Sequence, residues 1–173
     1  MPNSAEDFFG PRGIAVDAQS NVFIADTGNG RILKFTSNGE ELWRVGTKGS
    51  GQGQFNEPVG IAVGGDGRIY VADAGNQRIV VLDSSGAPLE TWPVPGWDKQ
   101  DFREPYLAIL PDGRVVAADP TKDRWYYFQP NGRFAAEQPF ATDTAPVGVA
   151  VGAKGRLFVT ELKKGRVSAV TPP

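Results

Sequence analysis

Short apolar runs separated by polar turn residues recur along this chain at a nearly constant interval. In residues 58–83 the runs are Gly60-Ile61-Ala62-Val63, Arg68-Ile69-Tyr70-Val71-Ala72 and Arg78-Ile79-Val80-Val81-Leu82. They are rich in Val, Ile and aromatic residues and are bounded by Gly, Asp and Asn, which is strand chemistry. The same triplet of runs fills residues 11–36, 105–130 and 146–171, and Pro11, Pro58, Pro105 and Pro146 open the copies at intervals of 47, 47 and 41 residues. A fourth run follows in the first three copies: Glu40–Val45, Ala87–Trp92 and Arg133–Glu137. Ser37-Asn38-Gly39, Ser84-Ser85-Gly86 and Pro130-Asn131-Gly132 precede these runs. Gly and Asn supply the positive φ of tight turns, so the strands are expected to meet as antiparallel hairpins.

Four antiparallel strands per repeat of this length make the blade of a β-propeller. Leucine-rich repeats are shorter and ankyrin or TPR repeats are helical. No helical periodicity of useful length is present, and 22 Gly and 14 Pro residues would interrupt it. The sequence therefore predicts an all-β propeller of four repeats, the last lacking its outer strand. The expected division is a lead-in over residues 1–10, then blades over 11–54, 55–101, 102–143 and 144–173. The missing strand implies a partial ring, or one completed by self-association through open blade edges.

Two alternations refine this picture. The first run of each blade places small residues (Gly13, Ala15, Gly60, Ala62, Gly148, Ala150) out of phase with Ile14, Val16, Ile61 and Val63. The expectation is that the small ones face the central channel and the large ones pack between blades. The second run ends on Asp26, Asp73, Asp119 or Glu161, each followed five residues later by Arg31, Arg78, Arg124 or Arg166. An acid and an Arg astride a hairpin turn are expected to brace it in every blade.

Composition narrows the chemistry. A net charge of −2 lacks the basic footprint of a nucleic-acid binder, although Lys122–Tyr127 interleaves basic and aromatic residues. No apolar run reaches membrane-spanning length, and residues 1–10 lack the apolar core of a signal peptide. There is no Cys and no His, which removes thiolate and imidazole chemistry from these 173 residues. Any catalysis would rest on carboxylates, Lys, Tyr, Arg or an oxygen-bound metal.

The block PVGIAVGGDGRIYVADAGNQRIVVLDSSG, and its counterpart PRGIAVDAQSNVFIADTGNGRILKFTSNG, resemble NHL repeats. The resemblance is weaker in the third copy, where Leu107 stands in place of the Gly, and partial in the fourth. It implies a propeller, usually of six blades, serving in bacteria as an extracytoplasmic sensor or accessory domain of a larger protein. It also brings in members that bind RNA and distant relatives that are lyases or lactonases. In the amidating-lyase branch an Arg and a Tyr near the channel assist a His-bound zinc, which a chain without His cannot build.

Candidate binding residues lie where the repeats differ. The loop from Pro93 to Glu104 carries Trp97 and Phe102 among Asp98, Lys99 and Arg103, the composition of a binding rim. The alternative for Trp97 is a cap on the groove between blades two and three. Arg12 and Tyr106, each following an anchoring proline, are expected near the channel mouth. The Gly-rich loop Gly46–Glu57 matches no phosphate-binding motif and is expected to be a flexible connection. The reading is a non-catalytic module presenting loops to a protein, peptide or glycan, with no cofactor. The alternative is a calcium-dependent hydrolase or lyase in the channel, with Asp26, Asn29, Asp73, Asn76 and Asp119 as candidate oxygen donors.

Overall fold

The structure is a computed structural model, and it describes residues 7–97 and 104–173. Blade 1 comprises β1 (Gly13–Val16), β2 (Val22–Asp26), β3 (Arg31–Phe35) and β4 (Glu41–Val45). A two-stranded parallel ribbon follows, β5 (Thr47–Lys48) with β6 (Gln54–Phe55). Blade 2 comprises β7 (Pro58–Val63), β8 (Ile69–Asp73), β9 (Arg78–Leu82) and β10 (Pro88–Pro93). Blade 3 comprises β11 (Leu107–Ile109), β12 (Val115–Asp119), β13 (Arg124–Phe128) and β14 (Phe134–Pro139). Blade 4 has three strands, β15 (Pro146–Val151), β16 (Leu157–Glu161) and β17 (Arg166–Val170). Each blade is an antiparallel meander in sequence order, as the turn chemistry predicts.

The blades stack face to face, and three apolar layers lie between them. Blades 1 and 2 enclose Phe23, Ile32, Phe55, Ile61, Ile69 and Leu82. Blades 2 and 3 enclose Tyr70, Ile79, Trp92, Trp97, Leu107 and Phe128, and blades 3 and 4 enclose Val116, Trp125, Tyr127, Leu157 and Val159. Because side chains alternate across a strand, every strand feeds one layer on each side. This explains the β-branched and aromatic residues at almost every position of β8, β9, β12 and β13, which are buried on both faces.

The same geometry corrects the expected role of the small inner-strand residues. They face the next blade rather than the channel. A Cβ on Gly13 would lie 2.0 Å from the Val59 carbonyl oxygen, and one on Gly60 would lie 2.7 Å from that of Pro105. Blades converge toward the axis, so the inner strands approach backbone to backbone, and only glycine fits there. Ile61 and Val63 pack toward blade 1 as expected, but Ile14 and Val16 lie on the outer face of blade 1 and are exposed.

Candidate functional site

Loops between blades and the hairpins joining second to third strands emerge on one face, and backbone bonds tie them together. The N–H groups of Gly28, Gly75 and Lys163 donate to the carbonyls of Phe9, Asn56 and Thr144 at 2.7, 2.9 and 3.2 Å. Residues 7–10 thus occupy the place in front of blade 1 that residues 54–57 hold in front of blade 2. Phe8 packs against Phe35 in a tilted ring contact as part of that seat.

Each hairpin is organised by its acid. Asp26 accepts the Phe9 N–H at 2.8 Å through one oxygen, and Asn29 and Arg31 at 2.8 and 2.7 Å through the other. Asp73 repeats the pattern with the Asn56 N–H, Asn76 and Arg78 at 2.6, 2.7 and 2.8 Å. Both carboxylates are fully buried and their donors saturate them, so their role is to lock turn, strand and incoming loop together. Arg78 extends the lock by donating to the carbonyls of Ser50, Gly51 and Gln54. The Gly46–Glu57 loop is therefore pinned, in contrast to the flexible connection its composition suggests. In blade 4, Glu161 receives Arg166 at 3.0 Å and Ser168.

Blade 3 departs from the rule. Asp119 turns to the Thr121 hydroxyl, the N–H groups of Thr121 and Lys122, and the Tyr126 hydroxyl. Arg124 instead pairs with Glu137 at 3.0 Å. Lys122 stands where blades 1 and 2 have Asn29 and Asn76, so the amide that joins acid to Arg in those blades is missing. Asp123 takes over the link to the following loop, accepting from the N–H groups of Asp143, Thr144 and Ala145 at 2.7, 3.0 and 2.7 Å.

On this loop face the side chains of blades 1 and 3 meet. Arg12 forms an ion pair with Glu104 at 2.9 Å. The Tyr106 hydroxyl lies 3.4 Å from the Arg12 carbonyl oxygen and 3.4 Å from Glu104 Oε2. Burial, then the Glu104 carboxylate, push the Tyr106 phenol above its ordinary pKa, so it stays a neutral donor. Beside Arg12 lies a cleft of about 380 Å³ lined by Phe9, Gly10, Thr27, Gly28, Lys48, Asn56 and Glu57. Glu57 holds a left-handed backbone at φ 56°, the conformation Gly10 adopts at the matching position in front of blade 1.

Of the sequence-derived candidates, Arg12 and Tyr106 lie side by side through the contact between the Tyr106 hydroxyl and the Arg12 carbonyl. Trp97 is a wedge: it is 7% exposed, packs in the layer between blades 2 and 3, and donates its indole N–H to the Ala118 carbonyl at 2.9 Å. Asp98, Lys99, Phe102 and Arg103 lie outside the described residues. Glu104, Lys48 and Glu57 were not among the candidates. Their loops differ between blades, so the repeat offers no register from which to read them. Among the described residues no group of three or more Asp or Glu converges as a metal cluster would. No described helix is long and apolar enough to cross a membrane.

A family model described as the NHL repeat matches residues 8–35 and 55–82. These two stretches match NHL repeats and lie in blades 1 and 2 of the β-propeller fold. The first matched stretch begins at Phe8 and the second at Phe55, the two residues that the loop geometry makes equivalent. A search of curated proteins finds no significant match. Solved structures that resemble this chain include a streptogramin B lyase at 20% identity and TM-score 0.70, over 92% of this chain and 54% of that one. A catalytically inactive histidine-to-alanine variant of virginiamycin B lyase from Staphylococcus aureus, with quinupristin, has 16% identity and TM-score 0.74, over 100% of this chain and 58% of that one. The WD40 propeller domain of Doa1 has 14% identity and TM-score 0.67, over 90% of this chain and 48% of that one. These likenesses establish the propeller fold, and this chain spans little more than half the length of the lyases.

Proposed function

We propose that this chain is a non-catalytic binding module whose loop face takes a peptide or protein segment bearing a carboxylate. The observation that carries the reading is the convergence of Arg12, Glu104 and Tyr106 from different blades beside the Phe9-walled cleft. Arg12 is held by an exposed pair with Glu104, and such a pair is worth at most about 1 kcal/mol. A ligand carboxylate placed bidentately on the guanidinium displaces it at small cost. Phe9 is 66% exposed and offers an apolar wall next to that charge, the combination of aromatic and Arg that dominates binding hot spots.

The repeated acids support the non-catalytic half of the reading, because Asp26 and Asp73 spend their lone pairs on architecture. One lyase neighbour was solved as a catalytically inactive variant with a histidine replaced, and these 173 residues contain no histidine to supply such a group. The test is selection of binders from a phage-displayed random peptide library, followed by titration of the enriched peptides. The expected result is acidic or C-terminally anchored peptides whose Kd rises about tenfold or more with Arg12→Ala, a loss of about 1.4 kcal/mol or more. Enriched peptides indifferent to Arg12→Ala, or an empty selection, would refute the assignment.

A further inference from the structure

We propose that the segment taken by the loop face carries a basic side chain beside the carboxylate that docks on Arg12, and that Glu57 selects it. The inference rests on the binding reading above and adds to it the second charge of the ligand.

The cleft beside Arg12 has already spent most of its neutral donors. The Thr27 hydroxyl donates to the Pro58 carbonyl at 2.6 Å, and the Gly28 N–H donates to the Phe9 carbonyl. The Phe9 ring is seated on Gly28, where a Cβ would lie 2.2 Å from it, so the apolar wall is held in place. Besides the Asn56 amide, what is left to recognise a ligand is charge, because Arg12, Lys48 and Glu57 line the same cleft. Arg12 pairs with Glu104, whereas Lys48 and Glu57 have no ion-pair partner among the described residues.

These four charges sum to zero. A ligand carboxylate on Arg12 displaces Glu104 and leaves two protein acids, Glu57 and Glu104, facing one available cation, Lys48. A cation on the ligand restores the balance, while a second ligand anion would meet like charge. At about 380 Å³ the cleft is near the lower end of ligand pockets, so the two ligand charges belong to one residue or to neighbours. Lys and Arg suit this geometry, since their apolar stems pack along Phe9 and leave the charged head for Glu57. The ring face adds a further attraction for the cation.

The test uses the peptides that the wild type enriches from the phage library, synthesised as selected and with each Lys and Arg replaced by Ala. They are titrated against the wild type, Arg12→Ala and Glu57→Gln. On the wild type the replacement is expected to raise Kd about fivefold, the upper end for an exposed ion pair. On Glu57→Gln it is expected to have no effect, and selection on Glu57→Lys is expected to return an acidic residue in place of the basic one. Both Glu57 variants keep the backbone carbonyl that accepts the Ala74 N–H, so their melting temperatures are expected to match the wild type. Replaced peptides that bind the wild type undiminished but still depend on Arg12 would overturn the basic side chain and leave the carboxylate reading standing. Equal losses on the wild type and Glu57→Gln would overturn the role of Glu57. Peptides indifferent to Arg12→Ala would overturn both readings together.

Discussion

At the residue scale the molecule is governed by how a carboxylate is saturated. Asp73 is buried and bonded to a backbone N–H, an amide and a guanidinium, and Arg78 passes the constraint on to three loop carbonyls. Replacing Arg78 with Ala leaves a buried anion without its counter-charge and frees those carbonyls. The expected cost is about 3–5 kcal/mol, the range for breaking a buried pair by removing one partner. Arg124 occupies the same sequence position in blade 3 but serves a half-exposed pair with Glu137, so Arg124→Ala is expected to cost no more than about 1 kcal/mol. Urea denaturation of the two variants measures the difference, and equal losses would contradict the division of roles. The sequence shows the acid and the Arg in all four blades. It does not by itself show that Lys122, in place of an Asn, redirects the third pair.

At the element scale, blades 2 and 3 are covered on both faces, while blade 4 is covered on one, by its apolar layer with blade 3, and carries two carboxylate networks beside it. Asp123 is pushed up by burial, but the N–H groups of Ala145 and Asp143 and the Thr144 contacts outweigh this and hold it below its ordinary pKa. The Ser168 hydroxyl, against burial and with Arg166, holds Glu161 low as well. A carboxylate whose folded-state pKa is depressed contributes stability above its unfolded value, and that stability is lost as pH falls through the folded one. With unfolded values of about 3.9 for Asp and about 4.3 for Glu, blade 4 is expected to loosen below about pH 4. Hydrogen-exchange protection factors for Leu157–Val170 should therefore fall at pH 3 relative to pH 7, ahead of those for Ile69–Leu82. Loss of protection in both segments together would count against this account. The strands themselves were legible from alternation and turn residues. Their facing was not: a single blade does not reveal that both of its faces are interior. Gly13 and Gly60 therefore read as channel residues until the neighbouring backbone was in view.

At the scale of the whole molecule, the fold follows from the period of the sequence, and the site follows from what the period leaves free. The proline register pointed to Arg12 and Tyr106 as channel-mouth residues, and the structure brings the two within reach of each other across blade 2. Glu104 and the cleft residues Lys48 and Glu57 come from loops of unequal length and sequence, where no repeat guides the reading. Trp97 shows the opposite limit, since an aromatic in a polar loop is compatible with both a rim and a wedge. Only its bond to the Ala118 carbonyl shows which role it takes.

The central claim is that ligands dock on the loop face at Arg12. The most direct measurement is a crystal structure of the protein with an enriched acidic peptide. The account predicts a peptide carboxylate within hydrogen-bonding distance of the Arg12 guanidinium, Glu104 displaced from it, and peptide side chains against Phe9. A peptide seated on the opposite face, among the turns at Asp17–Asn21 and Asp83–Ala87, would contradict it.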